Sequence, residues 1–362
     1  MRSRVSAPGW RSPVSIPPPD RILPRSDSYF VHHLRTMALA IREAVSRGIR
    51  ISTAEELSRE VGDRGGDTIF RIDEHGEEAL LAHCAAWSED LPFLLVAEGL
   101  EEGARIFPAG AEPHRLAFTL IVDPIDGTRE LMYGKRSAWA LFGVAPPPRA
   151  GRRPTLDQIG VALQAELPTA RAALADLLWA ARGAGVDAET HDLRDGTITP
   201  FIPRPSQAAT LRGGFAAISK FFPGAKPAAA AIEEALFLEL LGPPPTESPQ
   251  VFDDQYISSG GQLYELTVGH DRFLADLRPL LHAGAGTTRL CCHPYDLCTE
   301  LIAREAGVRV TDPQGAPLAA PLDTESNVAW VGYANQALQS QIEPILHRLL
   351  QEDVHKTAYT SI

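Results

Sequence analysis

From Leu116 to Val122 the chain is almost continuously apolar, and it then breaks into Asp123-Pro124-Ile125-Asp126-Gly127-Thr128. An apolar run of this kind, bounded by turn residues, predicts a buried strand. Pro124 ends regular pairing, and Gly127 permits a tight backbone approach where a helix can start. Two carboxylates therefore stand at a strand's C-terminal edge, followed by backbone N–H groups and a hydroxyl. Oxygen ligands suit Mg²⁺, and N–H groups at a helix start suit a phosphate. A lone Asp-Pro pair is more simply an acidic turn, but the whole string behind a hydrophobic strand favours the metal reading. One alternative falls to spacing. Phosphatases that attack with an Asp follow a strand with Asp-x-Asp-Gly-Thr, whereas Asp123 and Asp126 are three apart across a proline. That suits two metal ligands, not a phospho-aspartate.

Other acids also sit at strand ends or helix starts. Phe93 to Ala97 is apolar and ends in Glu98-Gly99, at the kind of strand terminus where crevices of α/β sheets open. Glu101 and Glu102 are alternatives to Glu98 but read more as a solvated turn. Asp67 to Asp73 alternates as a short extended segment before a helix with Ala79, Leu80, His83 and Trp87 on one side. Asp73 falls at that helix's N-cap. Tyr256 to Leu266 reads as strand, small-residue turn and helix start, with Ser258-Ser259-Gly260-Gly261 at the turn. It is either a site for an anion or a glycine-rich turn before a packed helix. Asp296 stands near the start of a helix closed by Gly307, where capping and ligation are compatible. Cys291 and Cys292 are adjacent and cannot easily share one tetrahedral zinc; with Cys298 they are expected to be buried thiols.

Val122 to Thr128 resembles the signature of the inositol monophosphatase superfamily, Mg²⁺-dependent, lithium-sensitive phosphatases that include fructose-1,6-bisphosphatases and 3′-phosphoadenosine-5′-phosphate nucleotidases. Tyr295-Asp296 through Glu305-Ala306-Gly307 resembles the second signature, with Tyr in place of Trp. The resemblance spans roughly residues 28–340. It implies an α+β fold of alternating αβαβα layers with two sheets, and commonly a homodimer. It also implies Mg²⁺, two or three ions per site. Glu98, Asp123 and the Ile125 carbonyl would hold the first ion, and Asp123, Asp126 and Asp296 the second. Thr128, oriented by Asp73, would position the attacking water together with Glu98. Gly127 and Thr128 would bind the phosphate, and Ser258, Ser259 and Gly260 would line the substrate pocket. Two cations clamping an in-line attack leave no need for a covalent intermediate. The implied activity is hydrolysis of a small polyol or sugar phosphate. Arg129-Glu130-Leu131 is closer to the bisphosphate nucleotidases, and a non-catalytic sensor of a phosphorylated metabolite is an alternative of another class.

Composition narrows the partners. A net charge of −12 disfavours nucleic acid and anionic membranes, and suits a phosphate ester only where bound cations invert the local field. No apolar run is long enough for a membrane span, no secretory h-region is evident, and four cysteines do not make a disulfide framework. A cytoplasmic protein is expected. Residues 1–27 are rich in Pro, Ser and Arg and read as a disordered extension. Residues 28–200 form a metal-binding half and 201–362 a second half that completes the site. The first long helix is predicted from Ser28 to Arg47, ended by Gly48. Gly62 to Gly66 is predicted as a break, Ala172 to Ala181 as either strand or helix, and the last helix from Gln336 to Leu350.

Overall fold

The computed structural model describes residues 23–64, 67–243, 248–281 and 291–359. The predicted N-terminal extension thus lies almost wholly outside the described residues. The first part of the chain forms α1 (Asp27–Ile51), α2 (Ala54–Leu57), β1 (Glu60–Arg64), β2 (Asp67–Phe70), α3 (Arg71–Trp87), β3 (Phe93–Ala97), β4 (Ala104–Phe107), β5 (Phe118–Asp126) and α4 (Thr128–Met132). An antiparallel run follows: β6 (Ala138–Ala145), β7 (Val161–Leu167), β8 (Leu174–Ala181), β9 (Gly185–Asp192) and β10 (Ile198–Phe201). The remainder comprises β11 (Gly214–Ile218), α5 (Lys226–Leu241), β12 (Val251–Phe252), α6 (Ser259–Val268), β13 (Asp271–Asp276) and α7 (Arg278–Leu281). It closes with α8 (Glu300–Ala306), β14 (Arg309–Thr311), β15 (Trp330–Tyr333) and α9 (Gln336–Tyr359).

Two sheets organise these elements, beside the β1–β2 hairpin. The larger has eight strands in the order β10-β9-β8-β7-β6-β5-β3-β4, and the smaller has five in the order β12-β11-β13-β15-β14. Helices α1 and α3 cover one face of the larger sheet, α6 and α8 lie between the sheets, and α5 and α9 pack on the smaller one. This is the αβαβα layering and α+β class expected. The middle layers require strands that are apolar on both faces. Phe93, Leu95 and Ala97 of β3 enter the cluster under α1 and α3, while Leu94 and Val96 enter the one between the sheets. A period of two thus divides one continuous apolar run between two cores.

Several expectations need correction. Helix α1 buries Phe30, Leu34, Met37, Ala38, Ile41 and Val45 as predicted, but it runs through Gly48 to Ile51. Gly48 is a contact point: a Cβ there would stand 2.7 Å from the His75 ring of α3. Residues 62–64 of the predicted break belong to β1, which pairs with β2, and 65–66 lie outside the described residues; backbone pairing between strands does not need apolar side chains. Tyr256 to Ser258 is not a strand, although α6 starts where predicted, with the Ser258 hydroxyl accepting from the Gly261 N–H. Ala172 to Ala181 resolves to strand, because β7 and β9 flank it on both sides. Helix α9 continues past Leu350, with Pro344 inside it. Among the described residues, no helix is long and apolar enough to cross a membrane.

Asp271 opens β13 nearly buried, at 7% exposure. Burial, with Glu265 and Asp254 adding repulsion, raises its pKa to about 7. The folded chain therefore keeps a proton that the unfolded chain releases near pH 4, so this carboxyl's contribution to stability declines as pH rises from about 4 to 7. Asp271→Asn is expected to flatten that slope and to gain about 2–4 kcal/mol relative to the parent at pH 8 compared with pH 4. Urea denaturation of both proteins at the two pH values checks it; parallel pH profiles would refute it.

Candidate active site

Strands β3 and β5 are parallel, with Ala97 level with Val122. Their C-terminal ends therefore emerge side by side, which sets Glu98 next to Asp123. Strand β5 bulges against β6 between Asp123 and Asp126, and pairing resumes at Asp126 with Trp139. Pro124 sits in that bulge, so it interrupts the strand rather than ending it. The bulge turns two acids spaced by three toward one cleft. Gly127 then takes φ 97° and opens α4, a conformation glycine adopts without strain.

The third acid comes from far along the chain. Asp296 lies in a 3-10 turn, Tyr295–Leu297, and accepts the His293 N–H at 2.5 Å. It is not the N-cap of α8; that place belongs to Thr299. Carboxylate oxygens of Asp123, Asp126 and Asp296 lie within 4.8 Å of one another. Asp123 and Asp126 are 1% and 6% exposed. Burial, then the charges of Glu98, Asp126 and Asp296, raise the Asp123 pKa well above normal; burial and Asp296 do the same for Asp126. Crowded acids that can ionise together only at high cost are a donor set suited to a hard divalent cation. The residues present fit Mg²⁺.

Neighbouring groups hold this cluster in place. The Ile125 N–H donates to Asp123 Oδ1 at 2.9 Å. Asp126 Oδ2 accepts from the Ser258 hydroxyl at 2.8 Å and the Gly260 N–H at 2.6 Å. The N-terminus of α6 thus faces a carboxylate of the site, as its dipole favours. Ser259 lines the cleft, and its hydroxyl meets Cys292 Sγ at 3.4 Å. Thr128 Oγ1 lies 3.0 Å from Asp73 Oδ1 and 2.8 Å from the Ile125 carbonyl. Helix α3 begins at Arg71, so Asp73 is inside its first turn, not at the cap, and reaches back to the Phe70 N–H at 2.8 Å. Burial, opposed by those two hydrogen bonds, raises its pKa to about 6.

The implied residues Asp73, Glu98, Asp123, Ile125, Asp126, Gly127, Thr128, Ser258, Ser259 and Asp296 all line one cleft. Gly260 adjoins it through Asp126. Others around the cleft have no site role in the sequence reading, where Arg129 and Glu130 figure only as a cue to the nucleotidase branch. Gln164 donates to the Gly260 carbonyl at 2.7 Å, and Glu130 accepts the Ile257 N–H at 3.3 Å; both position the turn before α6. Arg129, Phe221, Phe222 and Arg278 line the walls. Ser219-Lys220-Phe221-Phe222 and Leu277-Arg278 directly follow β11 and β13, so the strand-end rule that selects Glu98 also points to them. Cys291, Cys292 and Cys298 are buried and free, as expected, and so is Cys84.

Gly143 of β6 makes the approach of the Asp296 turn possible. A Cβ on it would lie 3.0 Å from the Cys298 carbonyl and 2.8 Å from Ile159. Gly143→Ala is expected to cost about 1–3 kcal/mol, because a backbone carbonyl and packed side chains must shift. It should also weaken Mg²⁺ binding by displacing Asp296. Thermal denaturation and Mg²⁺ titration check this; unchanged values in both would contradict the packing described.

No family model matches the sequence, and no curated protein matches it. Solved structures do. Leishmania major fructose-1,6-bisphosphatase aligns with a TM-score of 0.64 at 16% identity, covering 91% of this chain and 95% of that one. Mycobacterium tuberculosis SuhB gives 0.57 at 16%, covering 90% and 98%, and a Thermotoga maritima IMPase gives 0.55 at 15%, covering 89% and 99%. The fold is therefore shared across nearly the full length of these proteins, at sequence identities that carry little else.

Proposed function

We propose that this chain, folded like the inositol monophosphatases and fructose-1,6-bisphosphatases, is a Mg²⁺-dependent phosphomonoesterase of that superfamily. The observation that carries the proposal is the triad Asp123, Asp126 and Asp296, the first two buried and the third half-buried, beside Gly127 at the start of α4. Glu98, Asp123 and the Ile125 carbonyl would hold one cation, and Asp123, Asp126 and Asp296 another, with room in the family scheme for a third. Cations bound there supply a lowered pKa for a water and a counter-charge for the leaving oxygen. The Thr128 hydroxyl has one proton and two acceptors, of which the Asp73 carboxylate is the stronger. Donating to Asp73 leaves its lone pairs to accept from the attacking water, which Glu98 helps to deprotonate. Gly127 and Thr128 N–H groups hold the phosphoryl oxygens.

Two neighbouring folds named for inositol monophosphatase and fructose-1,6-bisphosphatase support a polyol or sugar phosphate as substrate. A nucleotide 3′-phosphatase is the second reading, favoured by Arg129, which stands on the rim of the cleft over the Phe70 ring at 4.9 Å. The sensor reading is disfavoured because all four acids are present. A small phosphorylated metabolite as partner, a homodimer and a cytoplasmic location belong to the same proposal; cysteine usage supports the last.

The test is phosphate release with Mg²⁺, with and without Li⁺, from inositol 1-phosphate, fructose 1,6-bisphosphate and 3′-phosphoadenosine 5′-phosphate. Metal-dependent, lithium-inhibited turnover of one of them supports the class and selects the branch. Silence with Mg²⁺ binding intact favours a different phosphate ester or the sensor, and silence without Mg²⁺ binding refutes the site.

A further inference from the structure

Part of the cleft wall is aromatic carbon, supplied by Phe221 and Phe222. Strands β11 and β13 are parallel neighbours, so Phe221 and Phe222 after one and Arg278 after the other meet at the same sheet edge. The two phenyl rings pack edge to face with centroids 4.9 Å apart. The Arg278 guanidinium lies 4.5 Å from the Phe221 centroid and 5.2 Å from that of Phe222. Asp276 holds that guanidinium through Nε, at 2.8 and 3.0 Å, and through Nη2, so its charge is balanced within the wall. The preceding Lys220 is fixed as well: its ammonium contacts Glu233 at 2.8 Å and Asp253 at 2.6 Å, and its N–H donates to Gln255 at 2.8 Å. The rings are thus presented by an anchored backbone, half-buried, and line the same cleft as the acids.

A polyol docked here would turn hydroxyls onto phenyl carbon, which costs free energy where no hydrogen bond replaces water. A flat ring would instead stack, with a gain beyond simple area burial. Resting on the phosphatase reading above, but setting its second, nucleotide branch ahead of the polyol one, we infer that Phe221 and Phe222 form a stacking subsite for the leaving group, so that favoured substrates are phosphate esters of an alcohol bearing a planar aromatic ring, a nucleoside among them.

The test compares benzyl phosphate with cyclohexylmethyl phosphate, whose leaving alcohols are alike in chain and reactivity but differ in flatness, and with inositol 1-phosphate. The expected kcat/KM for benzyl phosphate exceeds that of the cyclohexylmethyl ester by about tenfold, with inositol 1-phosphate lower than benzyl phosphate. Phe221→Leu/Phe222→Leu, which keeps the wall apolar, should bring the first ratio close to one. A ratio near one in the parent protein, a ratio unchanged by the substitutions, or a preference for inositol 1-phosphate would overturn the inference while leaving the phosphatase intact. Hydrolysis of none of the three would count against the phosphatase reading instead. In that event ligand-observed NMR with benzyl phosphonate and Mg²⁺ still decides on the subsite: ring protons contacting the parent but not the double variant support it, and equal or absent contact refutes it.

Discussion

Asp126→Asn is expected to abolish phosphate release, by about 10³-fold or more, because the metal-assisted reaction loses a ligand at its centre. The fold should survive. Asn keeps an oxygen that can accept from the Ser258 hydroxyl and the Gly260 N–H, which now meet Asp126 Oδ2. The substitution also removes charge from a group whose pKa burial and Asp296 raise well above normal. In the metal-free protein, above that raised pKa, the ionised acid lowers stability, so the variant should melt at the same temperature or higher. Phosphate release, Mg²⁺ titration and thermal denaturation on the two proteins make the check. Near-parental turnover would remove Asp126 from the site, and a collapsed melting temperature would show that its role is structural.

Mg²⁺ affinity is expected to rise with pH, by up to about tenfold per unit for each proton displaced. Asp123 and Asp126 hold protons to unusually high pH because burial and neighbouring acids disfavour their charged forms. A cation must displace those protons. The metal-free fold is thus favoured at low pH and loses stability as pH rises through the raised pKa values. The gain in melting temperature on adding Mg²⁺ should correspondingly grow with pH. Calorimetry in two buffers of different ionisation enthalpy reads proton release directly; pH-independent binding without proton release would mean that the acids are already ionised.

What could be read from the sequence follows from how local each feature is. The Asp123-to-Thr128 string is one strand end and one turn, so its two acids and its glycine need no distant partner to be understood. Strand β3 was legible as a short apolar run, and Asp73 was found near a helix start. Its actual place in the first turn depends on a one-residue difference in where the helix begins. Gly48 was misread because a glycine that ends a helix and one that admits a neighbouring helix look identical until the neighbour is known. Strands β9 and β10 were illegible because strands at and beside a sheet's edge, partly in solvent, carry polar residues such as Asp187 and Thr199. The aromatic wall was missed for a different reason: Phe221 and Phe222 resemble core residues until β11 and β13 are seen to open onto the cleft.

Asp296 reaches the site from a turn seated on β6, far in sequence from the acids of β5. Asp123 and Asp126 belong to the local ladder of β5 on β6, whereas Asp296 is in place only when the later part of the chain has closed over it. A cation shared among them would therefore act as a clasp between early and late parts of the polypeptide. Opening of the 291–298 segment would expose the ion, and loss of the ion would loosen that segment, so catalytic competence and closure of the chain's second half become a single equilibrium.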